Sequence, residues 1–295
     1  MKIGLVVRPE VEAAVTHARE LLTWCARNNH EVVLEHNSAE ALDAQGWNAA
    51  TATKMSAAEL AVACDPVVSL GGDGTLIGVA HFVQGRSPVI LGVNFGTLGF
   101  LTEISPTELI PTLESVLAGT ALCGERAMLQ AEIVRDGKVI SSTQGVNDVV
   151  VQKGARSRLL DLDLFVDREA VMRLRADGLI IATPTGSTAY SLAAGGSIMH
   201  PSLSVVMVTP ICPHSLGSRP LILRLGSEIR IDVPPYDGKC YLTVDGQMSV
   251  PLRSGDAVRV TESPNRVRFV RSSKRSYFEI LRAKLNWGLP NCGDA

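Results

Sequence analysis

A basic excess is missing from this 295-residue chain: 28 Lys and Arg stand against 30 Asp and Glu, leaving a formal net charge of −2. A protein that grips a phosphate backbone needs the opposite balance, so nucleic acid is not expected as a partner. Paired cysteines are missing too. The six cysteines, at 25, 64, 123, 212, 240 and 292, lie far apart and form no CxxC pair, which argues against both a zinc ribbon and a disulfide framework. A reducing cytoplasm is the compartment this fits. Long apolar runs are also lacking: Met1 to Val7 is apolar, but Arg8-Pro9-Glu10 ends it well short of a signal-peptide core. No later stretch approaches the roughly 18 apolar residues of a membrane span, so neither export nor membrane embedding is expected. Finally, GxxxxGK[ST] is absent, as is a GxGxxG after the first strand. If the chain binds nucleotide phosphates, it uses neither of those cradles.

What is present reads as ordinary globular protein, 46% hydrophobic and 20% charged, with length enough for two domains. Residues 3–7 read as a buried strand, 11–29 as a helix with Val15, Ala18, Leu22 and Cys25 on one stripe, and 31–35 as a second strand. A helix over 56–63, a strand over 66–70, a helix over 75–83 and a strand over 88–93 follow. Ser105-Pro106-Thr107-Glu108 carries a capping serine, a first-position proline and a glutamate three after the cap, predicting a helix to about residue 118, where Gly119 ends it. This alternation predicts an α/β N-terminal domain over 1–121 with a Rossmann-like parallel sheet.

From Leu122 helical periodicity gives way to short strands, and a mostly antiparallel, β-sandwich-like domain is expected over 122–274. Asp136-Gly137 is a two-residue hairpin signal. Leu160 to Asp167 alternates apolar and acidic residues, so Asp161 and Asp163 read as a solvated strand face. Further strands are expected at 205–209, 228–233, 241–244, 257–261 and 267–270. A terminal helix around Ile280, Leu281 and Leu285 suggests that 275–295 packs back on the first domain.

Chemistry concentrates in four places. In Gly71-Gly72-Asp73-Gly74-Thr75 a strand ends in glycines around a single acid, and a helix begins. Glycines let backbone approach a phosphate, and the N–H groups of the following helix point at the anion. Asp73 cannot itself hold phosphate, since like charges repel; its natural work is to take the proton of an attacking hydroxyl or to help hold a metal, while the bland alternative is a helix cap. Gly92 to Phe100 is a second glycine-bearing strand-end loop. Asn147-Asp148 interrupts an apolar run with an amide and a carboxylate, suited to a base edge and ribose hydroxyls, or simply a turn. Residues 175–196 run from a buried strand into Thr183-Pro184-Thr185-Gly186-Ser187-Thr188-Ala189-Tyr190, a density of small donors suited to sugar and phosphates, with Tyr190 able to pack on a base or ribose. Ser187 and Ser191 lack the GxSxG elbow of a nucleophile. His214 reads as a hydrogen-bonded structural histidine, and Asp245-Gly246-Gln247 as a hairpin turn.

Taken in order, Gly71 to Thr75, Gly145-Val146-Asn147-Asp148, Asp177-Gly178, Thr183 to Tyr190, Pro213-His214-Ser215-Leu216 and Asp245-Gly246-Gln247 resemble bacterial NAD kinases over nearly the whole chain. The resemblance implies ATP-dependent phosphorylation of the adenosine-ribose 2′-hydroxyl of NAD, with NAD and ATP as substrates, Mg²⁺ delivered on the ATP, and a homodimer or homotetramer. It implies Asp73 as the base, with Gly71, Gly72, Gly74 and Thr75 around it. Asn147 and Asp148 would hold adenosine and nicotinamide-side groups, and Thr188, Ala189, Tyr190, Ser191, Leu192 and Ala193 would line the dinucleotide pocket. Arg158, Arg175, Asp177, Gln247 and the backbone of Cys212 would add NAD contacts. Asn94 and Phe95 stand where relatives carry Arg or His, and Asp148 where many have glutamate. A lipid kinase sharing the glycine loop would need an acyl cavity or membrane-facing patch, and no amphipathic basic segment is evident. A nucleotide sensor without turnover would keep every binding residue.

Overall fold

The computed structural model describes residues 1–47, 52–85, 87–155, 157–236 and 238–288. By contact the chain divides into two compact units, one formed by Met1–Glu125 with the stretch from Val267, the other by Arg126–Arg266.

The first unit alternates strand and helix. Its elements are β1 (Lys2–Val7), α1 (Glu12–Arg27), β2 (Glu31–Glu35), α2 (His36–Ala44), β3 (Thr53–Met55), α3 (Ala57–Ala63), β4 (Val67–Gly71), α4 (Asp73–Ala80), β5 (Val89–Asn94) and α5 (Leu109–Leu117). Strands β5, β4, β1, β2 and β3 lie side by side in that order, every pair parallel. Chain order therefore runs away from β1 in one direction through β2 and β3, then resumes on its other side with β4. All five residues of β4 are buried, as a sheet covered on both faces requires. α1 turns Ala14, Val15, Ala18, Leu21, Leu22 and Cys25 inward on one stripe, and these join strand residues Ile3, Leu5, Leu70 and Leu91 in one core. α3 opens with a reciprocal Ser56/Glu59 capping box, and a Ser105/Glu108 box opens the turn leading into α5.

The second unit is almost entirely antiparallel, as the change of pattern at Leu122 predicts. It holds β6 (Cys123–Arg135, its first residues in the first unit), β7 (Lys138–Gly145), β8 (Asp148–Lys153), β9 (Leu160–Val166), β10 (Glu169–Ala176), β11 (Gly178–Ala182), the one-turn α6 (Tyr190–Ala193), β12 (Val205–Ile211), β13 (Leu221–Arg224), β14 (Ile229–Asp232), β15 (Cys240–Val244), β16 (Met248–Leu252) and the start of β17 (Ala257–Val270). One sheet orders β10-β9-β14-β17, with β6 pairing β17 and β7; the other orders β13-β12-β11-β8-β15-β16. Alternate residues of both, such as Leu162 and Ile231 from the first with Val151, Ile181 and Leu242 from the second, share one buried cluster, which makes the pair a sandwich. The β6–β7 hairpin turns at Asp136 and Gly137, both with positive φ (49° and 74°), the geometry that an Asp-Gly turn supplies. On β9, Leu160, Leu162 and Leu164 point inward; Asp163, on the other face, meets Arg173 of β10 at 2.6 and 2.8 Å.

Three sequence expectations need correction. The strands expected at 257–261 and 267–270 are one strand of 14 residues, and in the stretch between them Ser263 and Asn265 bond to Gln144 while the chain stays extended. α4 begins at Asp73, two residues earlier than its apolar spacing indicates. α2 and β3 have no clear periodicity of their own; α2 is started by Glu35, whose carboxylate accepts the backbone N–H groups of Asn37 and Ser38. After β17, α7 (Tyr277–Leu285) opens with a Ser276/Glu279 capping box and buries Ile280 and Leu281. Leu285, expected on the same stripe, is only part-buried at the last position of the helix.

Candidate active site

In the first unit the site is the loop between β4 and α4. Gly72 is the N-cap residue, with φ −136° and ψ −168°, and α4 starts at Asp73. The carboxylate of Asp73 does not cap its own helix; it reaches across to the segment after β5. Its Oδ2 accepts the Phe100 N–H at 2.8 Å, and its Oδ1 accepts the N–H groups of Leu101 (3.2 Å) and Thr102 (2.9 Å) and the Thr102 hydroxyl (2.7 Å). Gly99 makes this approach possible, since a Cβ there would lie 2.1 Å from Asp73 Oδ1. In contrast, a Cβ on Gly72 or Gly74 would meet nothing within 4 Å, so the loop presents a bare outer surface. Thr75 packs its hydroxyl under the loop, 2.4 Å from where a Cβ on Gly71 would sit, and its N–H donates to Gly72 O at 3.1 Å.

The second glycine-bearing loop is thereby tied to the first. Phe95 N–H donates to Gly71 O at 3.2 Å, and Phe95 meets the His17 ring edge-on with centroids 5.2 Å apart. Asn94 closes its own loop: Nδ2 donates to Thr97 O at 2.5 Å and Oδ1 accepts the Gly96 N–H at 2.9 Å. These two residues are structural staples of the loop that holds Asp73.

In the second unit the site is a cavity of about 280 Å³ on the outer face of the β13–β16 sheet, lined by Asn147, Asp148, Val150, Gln152, Ala189, Tyr190, Thr243, Asp245 and Gly246. The turn that enters β8 is gripped from two directions. The Asp245 carboxylate accepts the backbone N–H groups of Val146 (2.8 Å), Asn147 (2.7 Å) and Asp148 (3.0 Å). From the other side, Thr183 donates its N–H to Asn147 O at 2.9 Å and its hydroxyl to Val146 O at 2.5 Å. Gly186 lies against the same peptide, where a Cβ would fall 2.0 Å from Asn147 O. Asp148, 5% exposed, has its carboxyl pKa raised from 3.8 to about 7, first by burial and then by the Asp245 charge. Such a group is only partly ionised near neutrality and, where protonated, can donate a hydrogen bond.

Of the residues singled out from sequence, the cavity brings together Asn147, Asp148, Ala189 and Tyr190. Tyr190 is 42% exposed, and burial of its phenol raises its pKa, with Cys212, Asp177 and Asp148 adding to the shift in that order. Those three groups therefore lie within electrostatic reach of its ring. Asp177 is paired with Lys153 at 2.9 Å, and Cys212 is exposed with φ 44°. Arg158, Arg175 and Gln247 are exposed and do not line the cavity. Nor do Thr188, Ser191, Leu192 and Ala193; Ser191 is buried with its hydroxyl 2.9 Å from that of Thr209, and Thr188 donates to Thr185 O at 3.3 Å. His214 is not the hydrogen-bonded histidine expected: only its backbone N–H is held, by Arg175 O at 2.8 Å, and its side chain is exposed. Asp245 is more than the hairpin residue its sequence suggests, and Gln152 and Thr243 are lining residues that carry no local motif. Their signal is their place on the outward-facing alternate positions of β8 (148, 150, 152) and β15 (241, 243), legible only once the outer face is known.

Among the described residues no three His, Cys, Asp or Glu side chains converge as a metal site. Five cysteines, 25, 64, 123, 212 and 240, are free, and Cys292 lies outside the described residues. No described helix is long and apolar enough to cross a membrane.

An acid set in a bare glycine loop at the end of a parallel sheet, in a chain whose second unit offers an amide, a buried carboxyl of raised pKa and a tyrosine around one cavity, is the equipment of a nucleotide-dependent phosphotransferase. Residues 3–121 match the ATP-NAD kinase N-terminal domain and residues 146–272 the ATP-NAD kinase C-terminal domain. The chain is 41% identical over 288 residues to the NAD kinase of Citrifermentans bemidjiense, covering 97% of this chain and 99% of that one. To the NAD kinase of Geobacter sulfurreducens it is 49% identical over 230 residues, 78% and 81% of the two chains. A crystal structure of yeast NADH kinase complexed with NADH superposes with a TM-score of 0.88 at 28% identity, covering 100% of this chain and 90% of that one. An NAD kinase from Archaeoglobus fulgidus in complex with ATP gives 0.74 at 25%, covering 96% and 99%. The chain belongs to the ATP-NAD kinase family. Its activity is transfer of the γ-phosphoryl group of ATP to NAD, giving NADP and ADP, and the lipid-kinase and sensor readings fall away.

Proposed function

We propose that Asp73 is the base of this reaction, accepting the proton of the adenosine-ribose 2′-hydroxyl as its oxygen bonds to the γ-phosphorus. The bond from that phosphorus to the bridging oxygen of ADP breaks in the same step, and the proton later passes to solvent. The observation that carries this reading is the division of labour on the carboxylate. Oδ1 is filled by three donors that fix its position, whereas Oδ2 has the Phe100 N–H alone and keeps acceptor capacity for a hydroxyl. Phosphoryl transfer needs little covalent help from a protein, so in-line placement and charge neutralisation supply most of the rate. A positioned base typically adds about 10² to 10⁴.

Gly71, Gly72, Gly74 and Thr75 receive the ATP phosphates, and the divalent cation, Mg²⁺ in this reading, arrives on them, since magnesium keeps most of its waters and needs no protein cage. NAD occupies the cavity of the second unit. Asn147 offers donor and acceptor to its ribose or amide groups, Asp148 in its protonated form offers a donor, and Tyr190 packs on a ring. Thr188, Ala189, Ser191, Leu192 and Ala193 shape the neighbouring wall, with Ser191 acting through its backbone. Arg158, Arg175, Asp177, Gln247 and the Cys212 backbone complete the contacts in a homodimer or homotetramer, working in the cytoplasm.

The test is to incubate purified protein with MgATP and either NAD or NADH, and to detect the product with an NADP-specific dehydrogenase. Product that this dehydrogenase does not recognise would show phosphorylation at another hydroxyl and remove the 2′ assignment.

A further inference from the structure

The first unit's strand order contains one reversal, between β1 and β4, and in open α/β sheets the crevice beyond the carboxyl ends of the strands at such a reversal is where ligands sit. Two segments flank it: the glycine loop after β4, and Arg8, the residue immediately after β1. Arg8 is fixed there by its backbone, whose N–H donates to Leu70 O at 2.9 Å. Its Cβ lies 3.1 Å from where a Cβ on Gly71 would sit, which sets the arginine stem against the loop.

The charge balance at this end of the sheet is lopsided. Between the ends of β1, β4 and β5 and Ile104, the connecting segments 8–11, 72–75 and 95–104 carry Glu10, Asp73 and Glu103, and Arg8 is their one Lys or Arg. Other cations of this unit are engaged elsewhere: Lys284 stands over the Phe100 ring at 5.6 Å, Arg275 donates to Glu103 O at 2.9 Å, and Arg271 pairs with Glu103 at 3.6 Å. A triphosphate seated on the loop would therefore meet a carboxylate without a protein countercharge unless Arg8 supplies it. Arg8 is available to do so. Its side chain is 54% exposed and its ion pair with a 73% exposed Glu10, at 3.5 Å, is of the solvated kind that costs little to break. A guanidinium also matches phosphate oxygens in a two-pronged geometry that an ammonium lacks.

We infer that Arg8 binds the phosphates of ATP at the β1–β4 reversal. The assignment rests on the reading that the glycine loop receives those phosphates, and a pair of variants separates the two. Gly72→Val keeps an extended backbone that any residue adopts and projects its side chain into open space, so it folds but fills the phosphate position. Initial rates are measured with MgATP varied at saturating NAD, then the converse, for Arg8→Ala, Arg8→Gln, Arg8→Lys and Gly72→Val. Loss of a charge-assisted contact to phosphate is expected to raise KM for MgATP about tenfold or more in Arg8→Ala and Arg8→Gln, less in Arg8→Lys, with KM for NAD and the unfolding midpoint unchanged. If Gly72→Val raises KM for MgATP and the Arg8 variants leave it unchanged, or raise KM for NAD instead, the arginine assignment is overturned alone. If none of the variants changes KM for MgATP, the loop assignment falls with it.

Discussion

Thr102 donates both its backbone N–H and its hydroxyl to one oxygen of Asp73, at 2.9 and 2.7 Å, so the acid and the segment that follows β5 form one rigid piece. Replacing Asp73 with asparagine therefore does two things at once. It removes the proposed base, and it turns an amide toward a row of N–H donors. Thr102→Val isolates the second effect. Because Thr102 is fully buried and bonded to a charged acceptor, Thr102→Val is expected to lose about 2 kcal/mol of stability. Asp73→Asn is expected to lose about a hundredfold or more in kcat with KM for NAD retained, and Thr102→Val only a small fraction of that. Equal losses of kcat in the two folded variants would reduce Asp73 to a loop anchor.

Asp245 stands in the same relation to the turn at Asn147 that Asp73 does to the segment from Phe100 to Thr102. Three backbone N–H groups converge on its carboxylate, and an asparagine there presents a single acceptor oxygen. Asp245→Asn is expected to raise KM for NAD about tenfold, through misplacement of Asn147 and Asp148, while KM for ATP stays constant. Equal effects on both substrates would point to general loosening of the unit.

The buried Asp148 makes stability depend on pH in a definite direction. Its folded pKa of about 7 lies above the ordinary 3.8, so between those values the folded chain holds a proton that the unfolded chain has released. Folding is therefore opposed increasingly as pH rises from about 4 to about 7, and the effect is constant above that. Asp148→Asn removes the titration. Urea midpoints should show the variant gaining on the parent between pH 5 and pH 8; an identical difference at both pH values would mean that Asp148 is ionised throughout.

Gly186 has no room for a side chain, because the Asn147 carbonyl occupies the position its Cβ would take, 2.0 Å away. Gly186→Ala must push that peptide out, and its partner Thr183 with it. A loss of about 1–3 kcal/mol of stability is expected, together with weakened NAD binding measured by calorimetry. Wild-type affinity in this variant would show that the Asn147 turn is not needed in its present place.

Much of this is legible in the sequence alone, and the reason is local. The β4 run of apolar residues, the glycines beside Asp73 and the Asp136-Gly137 hairpin are each specified by their own few residues. The resemblance carried the family, because its motifs recur in order along the chain. What stayed hidden depends on partners distant in sequence. Nothing near Asp245 announces that its carboxylate organises residues 97 to 99 positions away. Ser191 sits in a hydroxyl-rich stretch that reads as ligand-facing, yet its own hydroxyl is spent on Thr209 across the sheet. The extended passage through Ser263 and Asn265 likewise needs Gln144, from another strand, to hold it.

β17 changes units along its length: Ala257 to Val260 pair with β14, whereas Arg268 and Phe269 pair with β5. A ribosome delivering this chain completes the sandwich before it releases the last strand of the parallel sheet. During synthesis the Val89–Ile90 end of β5 waits without its partner strand, so the half of the enzyme that begins first is finished last. Shortening the chain from its carboxyl end would strike the unit encoded mostly at the opposite terminus.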